Sequence, residues 1–181
     1  IKRNSTKKIN HENSISIFSS SPRRQYNLEL FIKSYLPFKI KNIKFENIRG
    51  NILTRFKKFT EGNVDGFVVA KAAIDRLLNA DQHYFPDTKK NLLSYINECL
   101  WSVIPLSINP SSPGQGALAV EIRTEDTDLK KILSKINNME DYKNVTLERD
   151  ELQKYGGGCH QKIGVSYKNT HFGKVKFSKG E

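Results

Sequence analysis

Short apolar runs alternate with amphipathic helices along the first half of this chain, and each helix begins at a polar turn. Ser14-Ile15-Ser16-Ile17-Phe18 alternates polar and apolar residues, as a half-buried strand does. Ser19-Ser20-Ser21-Pro22 follows, pairing a good N-cap with the proline that suits a first helical position. Leu28, Phe31, Ile32 and Tyr35 then recur at helical spacing until Pro37. The motif repeats. Lys39–Ile48 reads as a strand, Arg49-Gly50-Asn51 as a turn, and Ile52, Leu53, Phe56 and Phe59 as one face of a helix closed by Gly62. Gly66-Phe67-Val68-Val69-Ala70 is continuously apolar, the mark of a strand covered on both faces, and Ala72–Leu78 is helical. This order predicts an α/β fold with a doubly wound sheet, whose ligands bind at the C-terminal ends of the strands.

The second half is organised differently. Thr88–Ile104 is expected to be one amphipathic helix, with Cys99 and Trp101 in or near the core. Asn109–Gly116 is rich in Pro, Gly and Ser and reads as a hinge. Ala117–Arg123 reads as a strand, and Asp126–Asn138 as a helix with Leu129, Ile132, Leu133 and Ile136 inward. A charged helix, Asp141–Tyr155, runs into Gly156-Gly157-Gly158-Cys159-His160. Lys162–Lys168 and Lys174–Phe177 form a hairpin around Asn169–Gly173. Ile1–Asn13, polar and charged, reads as a linker or frayed end.

Composition narrows the function. The net charge of +11 suggests a polyanionic partner. Most of that excess is lysine scattered over every segment, which is an ordinary solvated surface. The eight arginines are distributed otherwise: Arg23, Arg24, Arg49 and Arg55 lie in or beside glycine-containing or helix-start motifs. Guanidinium forks grip carboxylates and phosphates in a plane, so this pattern favours a small polyanionic ligand in a cleft over nucleic acid. Neither a basic stripe nor an aromatic-basic motif is present. The two cysteines, Cys99 and Cys159, make no disulfide framework, and a reducing cytoplasm is the expected compartment. The histidines and cysteines show no metal-ligand spacing, and no metal is expected. No apolar run approaches membrane-spanning length, so no membrane partner is expected.

Two places carry chemistry. Arg23 and Arg24 lie in the first turn of a helix, where they oppose the helix dipole, and a sequence tolerates that where an anion is bound. Cys159 follows three glycines that place no side chain near it and permit φ > 0. A thiol at a helix C-cap is often simply buried. A pure anion-binding module would need no glycine-flanked thiol.

With these residues in view the chain resembles the hydroxymethylbilane synthase (porphobilinogen deaminase) family. The matching stretches are Ser20–Gln25, Arg49–Arg55, Glu61–Gly66, Ala73–Leu77, Pro113–Ala119, Glu148-Arg149 and Gly156–Cys159, in the family's order and near its spacings over residues 14–168. The resemblance implies that porphobilinogen units are joined head to tail, with loss of ammonia, into 1-hydroxymethylbilane. The chain would grow on a dipyrromethane cofactor held by a thioether to Cys159. It further implies that Ser20, Ser21, Arg23, Arg24 and Arg55 bind the cofactor and that Arg49 and Arg76 bind substrate carboxylates. Porphobilinogen and the growing polypyrrole would be its ligands, and the enzyme would be a monomer.

The departures are equally specific. The family's acid/base aspartate lies in a His-Ser-x-Lys-Asp-x-Pro motif that has no counterpart here, so no catalytic residue is assigned within this chain. Phe18 stands where glycine is usual, and Lys162 where proline is usual. The expected division is therefore a fragment that needs the missing N-terminal segment of the same enzyme. Residues 1–13 would link to the absent first domain, and 14–106 would form the second, one lobe of an architecture shared with bilobal solute-binding proteins. Residues 107–125 would be a hinge with a strand returning to the first domain, and 126–181 an incomplete third domain carrying the cofactor cysteine.

Overall fold

Local sequence signals place the first elements, and hydrogen bonding to distant segments sets their limits. The computed structural model describes residues 1–81, 83, 86–158 and 161–181. It divides into two compact units, Ile1–Ile104 and Pro105–Glu181. In the first, a 3-10 turn at Arg3–Ser5 leads into α1 (Thr6–Glu12) and then β1 (Ser14–Phe18). Next come α2 (Pro22–Tyr35), β2 (Asn42–Glu46), α3 (Ile52–Glu61), β3 (Gly66–Phe67), α4 (Lys71–Leu78) and α5 (Thr88–Asn97). The three strands form a parallel sheet in the order β2-β1-β3. Ser14 pairs with Asn42 and Phe18 with Glu46 on one side; Ile17 pairs with Gly66 and Phe18 with Phe67 on the other.

Period-two alternation along β1 divides the core. Ile15 and Ile17 join Ile9 of α1 and Ile32 of α2, with Ile40, in one buried cluster. Phe18 belongs to a second, built on Phe56, Phe59, Val64, Leu92 and Cys99, with Phe67 and side chains of α4 and α5 packed against it. At about 25 cal/mol per Å² of apolar surface removed from water, these clusters supply the main favourable contribution to folding of the unit.

Residues 1–13 are not a linker. They form the 3-10 turn and α1, with Ile9 fully buried. The Lys2 amide donates to the Asp65 carbonyl at 2.9 Å, and the Arg3 amide to the Glu98 carbonyl at 3.1 Å. One apolar residue among polar ones leaves almost no periodicity to read, although tertiary bonds hold the segment. The expected strand over 66–70 is shorter, because Ala70 already serves as N-cap of α4. One further ladder bond, from the Val68 amide to the Phe18 carbonyl, extends it. The helix expected over 88–104 ends at Asn97. The Leu100 amide donates to the Ile1 carbonyl at 2.8 Å, and the Ile1 α-ammonium donates to the Leu100 carbonyl at 2.9 Å, a pairing that helical backbone would forbid. Cys99 is buried as expected, but Trp101, expected near the core, is 74% exposed.

The second unit contains α6 (Thr127–Ser134), α7 (Met139–Gln153), β4 (Gly164–Thr170) and β5 (Gly173–Lys179). Asp126 caps α6 by accepting from the Leu129 amide, and Asn138 caps α7 by accepting from Glu140 and Asp141. β4 and β5 form the expected antiparallel hairpin, turning between Thr170 and Gly173. Two expectations fail here. Residues 117–123 are not a strand, and Leu118 is 99% exposed. An extended segment is stable in water only with a laddered neighbour, and none pairs with it among the described residues. On α6, Leu129 and Ile132 are exposed rather than inward, as is Ile136 just after it, because no other described element packs closely on that helix. No helix is long and apolar enough to cross a membrane among the described residues.

Candidate functional site

Because β1 runs parallel to both neighbours, the loops that leave β1 and β2 open on the same edge of the sheet. The loop after β1 is Ser19-Ser20-Ser21. The Ser19 amide extends the ladder by donating to the Glu46 carbonyl at 3.0 Å. The Ser20 hydroxyl donates to the Ile48 carbonyl and accepts from the Ile48 amide, both at 2.7 Å, which ties the two loops together. Its proton is thereby committed, leaving Ser20 an acceptor lone pair. Ser21 caps α2, its Oγ accepting from the Arg24 amide at 3.4 Å with Pro22 at the first helical position. Ser19 was not singled out from the sequence. It is buried, and its Oγ has no hydrogen-bond partner among the described residues. Its place in the serine run is the signal that could have found it.

Arg23 and Arg24 follow in the first turn of α2, and Arg55 lies in the second turn of α3. Asn51 caps α3 by accepting from the Thr54 amide at 2.8 Å, and Arg55 Nε donates to the Gly50 carbonyl at 2.7 Å, which holds its guanidinium back over the turn. Burial, and secondarily the neighbouring Arg24, pull the Arg23 guanidinium down to about 10. Burial likewise lowers Arg24, and Arg55 adds to the effect. Thus Arg24 acts on Arg23, and Arg55 on Arg24, as a like charge. The cost of gathering them falls when an anion arrives. Arg49, in the loop after β2, and Arg76, on α4, are exposed. The Arg49 carbonyl accepts from Lys58 Nζ at 3.1 Å.

In the second unit, the run after α7 has the backbone that its glycines predict. Gly156, Gly157 and Gly158 have φ of 84°, 69° and 96°, a left-handed path that side chains disfavour. The Gly157 amide closes the helix by donating to the Leu152 carbonyl at 3.2 Å. Among the described residues, a Cβ on Gly157 or Gly158 would meet nothing within 4 Å. Cys159, the expected attachment residue, lies outside the described residues. Cys99 is of a different kind: burial pushes its thiol up, and Sγ donates to the Tyr95 carbonyl at 3.3 Å.

A parallel sheet with clustered arginines and serines at the edge where its strands end defines an α/β lobe suited to binding carboxylates. A family model described as "Porphobilinogen deaminase, dipyromethane cofactor binding domain" matches residues 1–131, which include this cluster. A protein from Caldicellulosiruptor saccharolyticus named porphobilinogen deaminase is 42% identical over 124 residues, covering 68% of this chain and 37% of its own. "Probable porphobilinogen deaminase" of Sulfurisphaera tokodaii is 34% identical over 135 residues, covering 75% and 40%. That of Methanocaldococcus jannaschii is 32% identical over 157 residues, covering 87% and 45%. The chain belongs to the porphobilinogen deaminase family. It spans less than half the length of these relatives.

Proposed function

We propose that this chain is the arginine-bearing lobe and cofactor-attachment region of a hydroxymethylbilane synthase, which joins four porphobilinogen units into 1-hydroxymethylbilane with release of ammonia. The observation that carries the reading is that Arg23, Arg24 and Arg55 lie in the opening turns of their helices at the sheet edge that also holds Ser19, whose buried hydroxyl has no partner among the described residues, in the segment that matches a cofactor-binding domain. A dipyrromethane carries several carboxylates, and this donor set fits them. When bound, it supplies the primer on which the tetrapyrrole grows.

The roles of the chain's own residues follow from their chemistry. Cys159 supplies the sulfur of the thioether, since a thiolate is the soft nucleophile that captures an electrophilic methylene carbon. Arg23, buried in the first turn of α2, adds its positive charge to that edge of the sheet. Arg24 and Arg55 grip carboxylates, and the α2 N-terminus adds its partial positive charge. Ser20 contributes its remaining lone pair to ligand contact, and Ser21 orients the helix start. Arg49 and Arg76, both exposed, receive the carboxylates of incoming porphobilinogen. Proton transfer at the pyrroles falls to an aspartate outside this chain, so residues 1–181 need the family's N-terminal segment for turnover.

In this reading residues 14–106 form the second domain, doubly wound, with the cores on either side of β1 as its support. Residues 107–125 are the hinge, and 126–181 belong to the third domain. The enzyme acts as a cytoplasmic monomer without nucleic-acid or membrane partners. Intact-mass analysis with peptide mapping of the full-length protein tests the proposal. One dipyrromethane adduct on Cys159 is expected; an adduct on Cys99, or none, would refute it.

A further inference from the structure

Glu148 is a buried carboxylate, 7% exposed, on α7. Its two oxygens serve two segments remote from each other in sequence. Oε2 accepts the Gly114 amide at 2.7 Å, and Oε1 accepts the Tyr167 amide at 2.9 Å. The neighbouring outward amide of β4, that of Val165, donates to the Ser111 carbonyl at 2.9 Å. The edge of β4 turned away from β5 is therefore closed by the 111–114 segment and by Glu148 together. Gly114 has φ of 69°, and the turn it makes is closed by the Gln115 amide donating to the Ser112 carbonyl at 2.9 Å.

The position of this contact matters more than its strength. α7 and β4 are the two elements that flank residues 154–163, and a single carboxylate bonds the one to the other across the base of that stretch. Glu151, one turn further along α7, also reaches the hairpin, through Lys176 at 2.9 Å. That pair lies at the surface, where water and salt compete with it. Buried bonds between an ionised acceptor and amides are shorter and stronger than neutral ones, and they fix geometry.

We propose that Glu148 is a positioning residue. It sets the separation of the two anchors of the glycine loop and ties both to the 111–114 turn, so that Cys159 is presented for attachment. This inference rests on reading Cys159 as the attachment residue. An ångström-scale error in placing a nucleophile lowers its reaction rate by about a hundredfold.

The test uses the full-length protein with Glu148→Gln, Glu148→Ala and, as control, Glu151→Gln. Glutamine keeps the shape but has one acceptor oxygen, so it can hold one of the two amides. The covalently loaded fraction, read by intact mass soon after reconstitution of apoprotein, is expected to fall about tenfold or more in both Glu148 variants. It should stay unchanged in Glu151→Gln. Amide exchange at Gly114 and Tyr167 should quicken while exchange within residues 1–104 does not. Wild-type loading in variants whose Gly114 and Tyr167 amides exchange faster would make Glu148 merely structural and overturn the inference. Should Glu148→Ala fail to fold, Glu148→Gln decides alone. If wild type carries no adduct on Cys159, the attachment reading fails. The positioning inference is then judged by iodoacetamide alkylation of Cys159: a rate changed by Glu148→Gln and not by Glu151→Gln supports it, and equal rates refute it.

Discussion

Lys8 Nζ lies 3.1 Å from Asp65 Oδ1, and the other oxygen of that buried carboxylate accepts from the Ser16 amide at 2.9 Å and the Ser16 hydroxyl at 2.8 Å. Asp65 precedes β3, Ser16 lies in β1 and Lys8 in α1, so one carboxylate joins three elements. Burial pushes the carboxyl up, but the Ser16 bonds and Lys8 outweigh it and hold Asp65 below its ordinary value. A depressed folded pKa means a contribution fully present above the unfolded carboxylate value of about 3.9. That contribution is lost as pH falls from there through the folded value. Asp65→Asn should destabilise the first unit by about 2 kcal/mol at pH 7, the scale of hydrogen bonds to a charged group. The half-exposed Lys8 adds little. Urea unfolding at pH 7 and pH 3 checks this, and the difference between wild type and variant should shrink at the lower pH.

The arginine cluster predicts opposite effects on binding and on stability. In the full-length enzyme, Arg24→Leu or Arg55→Leu should slow covalent loading of the apoprotein by about ten- to a hundredfold, the worth of one or two lost charge-assisted bonds. Thermal stability of the apoprotein should hold or rise, because a like-charge contact is relieved. Lysine at either position should restore little, since it lacks the planar fork. Equal loss of both properties would point to a structural role.

The two cysteines should separate cleanly. Buried Cys99, its thiol pushed up, should react slowly with a thiol reagent at pH 8, while Cys159 of the apoprotein reacts fast. Cys159→Ser should fold without covalent cofactor, since a serine hydroxyl is barely ionised near neutral pH. Cys99→Ser should keep the cofactor and lose about 1 kcal/mol of stability. Titration of thiols, followed by mass analysis, distinguishes these outcomes.

Residues 1–181 alone should not convert porphobilinogen to hydroxymethylbilane. Ammonia release and bilane absorbance should stay at background and should return when the family's N-terminal segment is supplied. Turnover by these residues alone would show that the proton-transferring group lies within them.

Local chemistry wrote some of this molecule directly into its sequence. Alternation of serine and isoleucine marked β1 to the residue, Ser21-Pro22 marked the start of α2, and the lysine-rich hairpin was visible on either side of Asn169–Gly173. The arginines near helix starts suggested a carboxylate site, and the glycines before Cys159 an accessible thiol, for a similar reason. Residue type and spacing carry that chemistry without reference to neighbours. What depends on a partner could not be read. The segment 1–13 is held by one buried isoleucine on α1 and by the Lys2 and Arg3 amides that bond residues 65 and 98, whereas 117–123 has strand composition and no described ladder. Trp101 and the apolar face of α6 stay exposed for want of an element against them. The mutual repulsion of Arg24 and Arg55, and the two amides held by Glu148, arise only when segments far apart in the chain are brought together. Burial and hydrogen-bond partnership belong to pairs of segments, so only the tertiary structure could decide them.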